Sequence, residues 1–181
     1  MSSWTFEQPN PIERCTIQLV FSAPLPAPII RDLASLHIQF KRDLPRKIEQ
    51  QALTLQFGGI LGTEIAPPSQ EIAGLIFDFV NPTGESARAF VVGPNSITYF
   101  TREYTRWNEF WPFASRLLVT ASRGVLSSIP LSILKLEYRD RFDWDGEPDS
   151  ADVNLLFIDG CRYIAEVFRS HWGLVIISKA G

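Results

Sequence analysis

The chain has few of the residues that build covalent or metal-centred sites, since 181 residues include two cysteines, two histidines and one methionine. Cys15 and Cys161 lie far apart, whereas structural zinc sites use close cysteine pairs and secreted disulfide scaffolds use many cysteines. Both lie in apolar-patterned segments, which predicts buried, reduced thiols. We therefore expect no metal, no cofactor and a cytoplasmic location.

Long apolar runs are also missing. The run at 174–177 is among the longest, and it is far shorter than the roughly 20 residues that a membrane-spanning helix needs. Residues 1–10 contain neither a basic start nor an apolar run, so no signal peptide is expected. Gly58-Gly59 and Gly62 lack the lysine of a phosphate-binding loop. We expect neither a membrane contact nor a nucleotide-cradling loop.

What is present is ordinary globular composition. Apolar residues make up 45% of the chain, and the net charge of −3 does not favour binding to polyanions through bulk electrostatics. The length suits a single domain spanning residues 1–181.

Periodicity predicts the order of helices and strands. Cys15, Ile17, Leu19 and Phe21 alternate as in a strand, and apolar residues at spacings of three and four from Ile30 to Leu44 predict a helix. Further patterns predict strands at 53–57, 74–80, 88–92 and 97–101, a helix at 107–125 and a strand at 133–142. Four strands with short connections favour a meander. The predicted fold is α+β, with a curved, mostly antiparallel sheet packed on a long helix and the helices on one face.

The strand at 133–142 carries a candidate catalytic residue. Leu134, Leu136, Tyr138 and Asp140 share one face, so the Asp140 carboxylate is expected among apolar neighbours. A buried carboxylate needs a partner, and a structural anchor is the favoured interpretation. The alternative is a hydrolase in which Asp140 and His171 lie within hydrogen-bonding reach of one another.

Aromatic residues define the candidate ligand site. Trp107, Phe110 and Trp111 follow helical spacing, which favours core packing against the apolar face of the 133–142 strand. Stacking on a ligand is the alternative. The candidate ligand-binding residues are Tyr99, Arg102, Trp107, Trp111 and Tyr138.

A basic cluster surrounds the predicted end of the first helix at Leu44-Pro45. It consists of Lys41, Arg42, Arg46 and Lys47. Cations near a helix C-terminus interact favourably with its dipole, and this interpretation is favoured. Phosphate contact through the same four residues is the alternative, so a nucleic acid is not the expected partner.

Several motifs resemble a sporadically distributed family of bacterial proteins that has no known activity. The resemblance rests on a proline-led first strand at 10–21, on Tyr104, Trp107 and Phe110, and on Ser170, His171 and Gly173. Tyr138 and Arg141 match the family's Arg-Tyr-Ile-Asn-Arg-Ile strand, in which Glu137 and Asp140 are departures. Relatives continue beyond the Ser-His-x-Gly element, whereas this chain stops soon after it.

The resemblance implies a bacterial protein without assigning a reaction. The dominance of aromatic and aliphatic residues and the absence of a catalytic motif favour a non-enzymatic binding module for a protein or a small ligand. A sporadic distribution is typical of accessory or defence-linked genes. The strand predicted at 174–177 is expected at a sheet edge, where it would pair with a second copy.

Overall fold

The computed structural model describes residues 4–5, 12–54, 69–141, 143–144 and 147. Its elements, in chain order, are β1 (Trp4–Thr5), β2 (Ile12–Phe21), α1 (Ala27–Ser35), α2 (His37–Phe40), β3 (Arg46–Thr54), β4 (Ser69–Val80), β5 (Ser86–Val92), β6 (Ser96–Thr101), α3 (Trp107–Leu126), β7 (Leu131–Asp140) and β8 (Asp143–Trp144). The chain divides into two compact units. One is Ile12–Arg139, and the other contains a short antiparallel ladder between β1 and β8. Cys161, His171 and the strand predicted at 174–177 lie outside the described residues.

The larger unit is built on a six-stranded sheet with the order β3-β4-β5-β6-β2-β7. Strands β3 to β6 pair antiparallel in sequence order, which confirms the predicted meander, and β2 pairs antiparallel with β6. At one end of β7 the Ser22 N–H donates to the Pro130 carbonyl over 3.0 Å, and at the other Arg14 lies 3.6 Å from Glu137. These two contacts make β7 antiparallel to β2.

One face of the sheet carries the core. Phe77, Phe90, Tyr99 and Ile17 are successive cross-strand partners, and all four are buried. The ring of His37 in α2 lies 4.9 Å from Phe77, and that of Phe110 in α3 stacks 5.7 Å from Tyr99. Helices α2 and α3 therefore contact the same face. The α+β prediction is confirmed.

The first predicted helix is divided in the structure. Leu36 separates α1 from α2, and β3 begins at Arg46, directly after Pro45. Helix α2 ends at Phe40, and a turn closed by the Leu44 N–H on the Phe40 carbonyl leads to Pro45, whose missing N–H prevents the helix from continuing. Arg46 and Lys47 consequently lie on a strand, and the prediction that they flank a helix C-terminus is wrong.

A buried carboxylate on β4 forms an ion pair with β3, the strand at one edge of the sheet. The hydrophobic periodicity of the sequence did not identify this carboxylate. Asp78 is 1% exposed and is the cross-strand partner of Arg46. Arg46 donates from Nε to Oδ1 over 2.7 Å and from Nη2 to Oδ2 over 2.5 Å, and the Ser86 hydroxyl donates to Oδ2. Chiefly because of the bond from Arg46, the pKa of Asp78 is lowered. Two side chains thus stabilise the ionised form.

The lowered pKa predicts acid sensitivity that depends on Asp78. A carboxyl whose pKa is lower in the folded state stabilises the fold above its unfolded pKa of about 4, and this contribution is lost as the pH falls through the folded value. Below pH 4 the free energy of unfolding should therefore decrease more steeply with falling pH in the native chain than in Asp78→Asn. The difference between the two slopes should be up to about 1.4 kcal/mol per pH unit. Urea unfolding at a series of pH values measures both slopes. Equal slopes for the native chain and Asp78→Asn would contradict a lowered pKa of Asp78 in the folded protein.

Candidate functional site: an exposed aromatic surface

The apolar side chains of β7 are exposed. Leu134, Leu136 and Tyr138 are 65%, 48% and 39% exposed, although their alternation predicted one buried face. Helix α3 packs mainly on β6, and β7 lies at the sheet edge beyond β2. The prediction that α3 covers the apolar face of this strand is therefore wrong. The alternation is real, but no element in the described ranges buries it.

The tryptophans of α3 are also partly exposed. Trp107 and Trp111 are 40% and 42% exposed, whereas Phe110 between them is buried. The buried stripe of α3 continues from Phe110 through Ala114 and Leu117. Trp107 lies in the first turn and Trp111 at the border of the stripe, so both rings reach solvent. Core packing is confirmed for Phe110 and is wrong for the two tryptophans.

A continuous series of ring contacts joins β7 to α3. Tyr138 meets Tyr104 edge-on at 5.4 Å, and Tyr104 meets Phe110 at 5.7 Å. Phe110 contacts Trp107 at 5.7 Å, and Trp107 stacks on Trp111 at 5.1 Å with only 13° between the ring planes. The name "aromatic surface" is used below for Tyr104, Trp107, Trp111 and Tyr138 together with Leu134 and Leu136. Three of the five candidate ligand residues belong to it.

Behind this surface lies a protonated thiol. Cys15 is fully buried, and burial raises the pKa of its thiol to about 11 despite a hydrogen bond with Tyr138. Burial and hydrogen bonding to Tyr104 raise the pKa of Tyr138 as well. At neutral pH both groups are uncharged. The Cys15 thiol is accordingly no activated nucleophile.

A recess of about 250 Å³ lies at the N-terminal end of α3. The buried ring of Tyr99 contributes to its floor with Phe110 and Phe113, both within 5.7 Å. Burial raises the pKa of the Tyr99 hydroxyl, so this group remains a neutral hydrogen-bonding partner. Arg88 contributes a buried Nε that has no hydrogen-bond partner in the structure. The recess is lined by these rings and by polar side chains, among them Arg88, Glu103 and Glu109.

The remaining candidates lie apart from the aromatic surface. Arg102 forms an ion pair with Glu85 over 2.9 Å. Asp140 belongs to the smaller unit and is exposed, so the predicted buried anchor is wrong, although partial burial raises its pKa. Its proposed partner His171 lies outside the described residues, and the Asp140–His171 pair stays a prediction. Within the described ranges, no three histidine, cysteine or acidic residues are grouped as a metal site would require.

Half of the basic cluster is engaged with carboxylates. Arg46 binds Asp78, and Lys47 lies 2.7 Å from Glu49. Lys41 and Arg42 are exposed. The four residues consequently do not present four available charges to a phosphate backbone.

The chain matches no protein-family model, no curated protein and no solved structure. In the part of the chain that is described, no helix combines the length and apolar character required to cross a membrane. The resemblance to a sporadic bacterial family stays a prediction.

Proposed function

We propose that this protein is a protein-binding module that takes up an extended segment of a partner along β7, beside the aromatic surface. The observation that supports it is the exposure of Leu134, Leu136 and Tyr138 on a strand at the sheet edge. Native proteins usually shorten, charge or cover such an edge, because its unpaired N–H and C=O groups attract other strands. A long, apolar edge is typical of a binding site, and no described segment covers this one.

Strand addition to β7 would give affinity through the main chain and specificity through alternate side chains. The ten residues of β7 offer an edge of about 34 Å. One face presents Leu134, Leu136 and Tyr138, and the other presents Lys135, Glu137 and Arg139 after the exposed Leu131 and Ile133. The matching partner segment therefore alternates apolar and charged residues.

The two tryptophans extend this surface onto α3. Tryptophan is enriched among the residues that contribute most to binding energy at protein interfaces. Because Trp107 and Trp111 are already stacked on one another, little side-chain freedom would be lost when a partner covers them. They are suited to contact side chains of a bound segment beyond the edge itself.

Peptide-display selection against the immobilised protein tests this proposal. Selected peptides should share an apolar–charged alternation, and Leu134→Lys with Leu136→Lys should reduce their affinity by at least 100-fold because both lysines would enter the contact. The matched control is Ile38→Lys, since Ile38 on α2 is 84% exposed and remote in sequence from β7. That variant should bind as the native chain does. Peptides that bind the β7 double variant undiminished would contradict the proposal.

The setting proposed with this function is that of a bacterial cytoplasmic protein, since the sequence resemblance implies a bacterial origin and the low cysteine content favours a reducing compartment. The hydrolase and nucleic-acid alternatives stay predictions, because no contact in the described residues favours either one over strand binding.

A further inference from the structure

We infer that the segment bound by β7 is β7 of a second copy of this chain, paired antiparallel about a two-fold axis at Leu136. This inference rests on the proposed function and adds the identity of the partner. An edge that binds its own copy must be self-complementary, because every contact occurs twice about the axis. The side chains of β7 are self-complementary when the pairing is centred on Leu136. They are not when it is centred on Lys135 or on Glu137.

The symmetry restricts which registers are possible. When the axis is perpendicular to the sheet, directly opposed residues come from the same face, so the axis passes midway between the two copies of one residue. The candidates near the middle of the accessible edge are Lys135, Leu136 and Glu137. Each would be opposed by itself in the second copy.

Charge decides among these three registers. An axis at Lys135 opposes two lysines, and an axis at Glu137 opposes two glutamates, and like charges directly opposite one another destabilise a ladder. An axis at Leu136 instead places Lys135 opposite Glu137 of the second copy, and the reverse contact occurs on the other side of the axis. Both side chains are partly exposed and already meet within one strand over 2.6 Å, so they lie on the face where the second pair would form.

The apolar face fits the same register. Leu136 would oppose Leu136 of the second copy, and Leu134 would oppose Tyr138 of the second copy. All three are exposed apolar side chains, and pairing would cover part of their surface. Because the faces correspond, the helices of both copies would lie on the same side, and two six-stranded sheets would join into one continuous sheet.

Disulfide trapping tests the register in the full-length chain. The background is Cys161→Ser, which leaves only the buried Cys15 thiol. Leu136→Cys should form a disulfide-linked dimer under mild oxidation, because directly opposed Cα atoms lie about 4.5–5.5 Å apart, within the range that a disulfide spans. Leu134→Cys is the matched control. Its copies would lie four residues, or about 13 Å, apart along the strands, and should not crosslink.

Sedimentation of the uncrosslinked chain supplies the second measurement. The native chain should dimerise, and Lys135→Glu should weaken the dimer by roughly tenfold, because a like-charge contact would replace an opposite-charge contact twice. A monomer at all concentrations would overturn the inference, as would crosslinking at Leu134→Cys but not at Leu136→Cys. If selected peptides still bind β7 in such a monomer, the proposed function stands and only the second copy is wrong. If Leu136→Cys crosslinks but the β7 double variant binds the same peptides undiminished, β7 pairs only with a second copy and the proposed uptake of another protein's segment is wrong.

Discussion

Replacing Leu117 by alanine is expected to lower the free energy of unfolding by about 2–5 kcal/mol, whereas Trp111→Ala on the same helix should lower it by about 1 kcal/mol or less. Leu117 is fully buried at the centre of the α3 stripe, so truncation leaves a cavity. Trp111 is larger but partly exposed, and alanine is the better helix former. The two losses should therefore rank opposite to the sizes of the side chains.

Urea unfolding of the two variants measures both losses, and neither substitution places a polar group in the core. If Trp111→Ala were the more destabilising change, Trp111 would be a core residue as its spacing predicted. The aromatic surface would then lose one of its two tryptophans, and the extension of the binding site onto α3 would be wrong.

Gly74→Ala is expected to lower the free energy of unfolding by about 1–3 kcal/mol because the added methyl group has no room. A Cβ at Gly74 would lie 2.6 Å from Gln50 Oε1 and 2.8 Å from the carbonyl oxygen of Val92. The glutamine end can move, but the Val92 carbonyl is backbone in the neighbouring strand. Gly74 also pairs with Gln50 where the β3–β4 register shifts. The ladder would have to distort around the substitution.

Gly124→Ala is the matched control for that variant. A Cβ at Gly124, in the last two turns of α3, would meet nothing within 4 Å. Alanine is favoured over glycine in a helix by about 0.5–1 kcal/mol, so this substitution should raise the free energy of unfolding. Thermal unfolding of both variants gives opposite signs if the packing around Gly74 is as described. A neutral Gly74→Ala would show that β3 and β5 lie farther from Gly74 than the structure places them.

Local patterns predicted the elements because they report on properties of one segment. The apolar spacing of residues 107–125 predicted α3 almost to its ends, and the alternation of Cys15 to Phe21 predicted β2. The short connections from β4 to β5 and from β5 to β6 predicted that these strands pair, since consecutive antiparallel strands usually do. These features need no knowledge of distant residues.

The wrong predictions concern which other segments of the chain pack against a given helix or strand. Alternation in β7 shows that Leu134 and Leu136 share a face, but only the sheet order shows that no described neighbour covers it. Likewise Trp107 and Trp111 follow the helical period, and only the fold shows that both are partly exposed. Arg46 was assigned to a helix end, and its actual partner Asp78 lies 32 residues away in sequence. No spacing within one element could have identified that pair.

The binding surface could be predicted only in part from sequence for the same reason. Trp107, Trp111 and Tyr138 were candidates because of residue type, and the fold brings them together through Tyr104 and Phe110. Arg102 was a candidate too, yet it pairs with Glu85. Residue type identified side chains that could contact a ligand. The sheet order showed that β7, which carries Tyr138, lies at an edge of the sheet.

Residue-resolved hydrogen exchange of the full chain is the decisive measurement for β7 as the binding edge. In dilute protein, alternate β7 amides that point away from β2 should exchange rapidly. They should become protected when a selected peptide is added or the protein concentration is raised, while the amides of β3 at the opposite sheet edge stay unchanged. Protection that arises elsewhere, or β7 amides that are all slow in the dilute protein, would contradict an open edge and the function built on it.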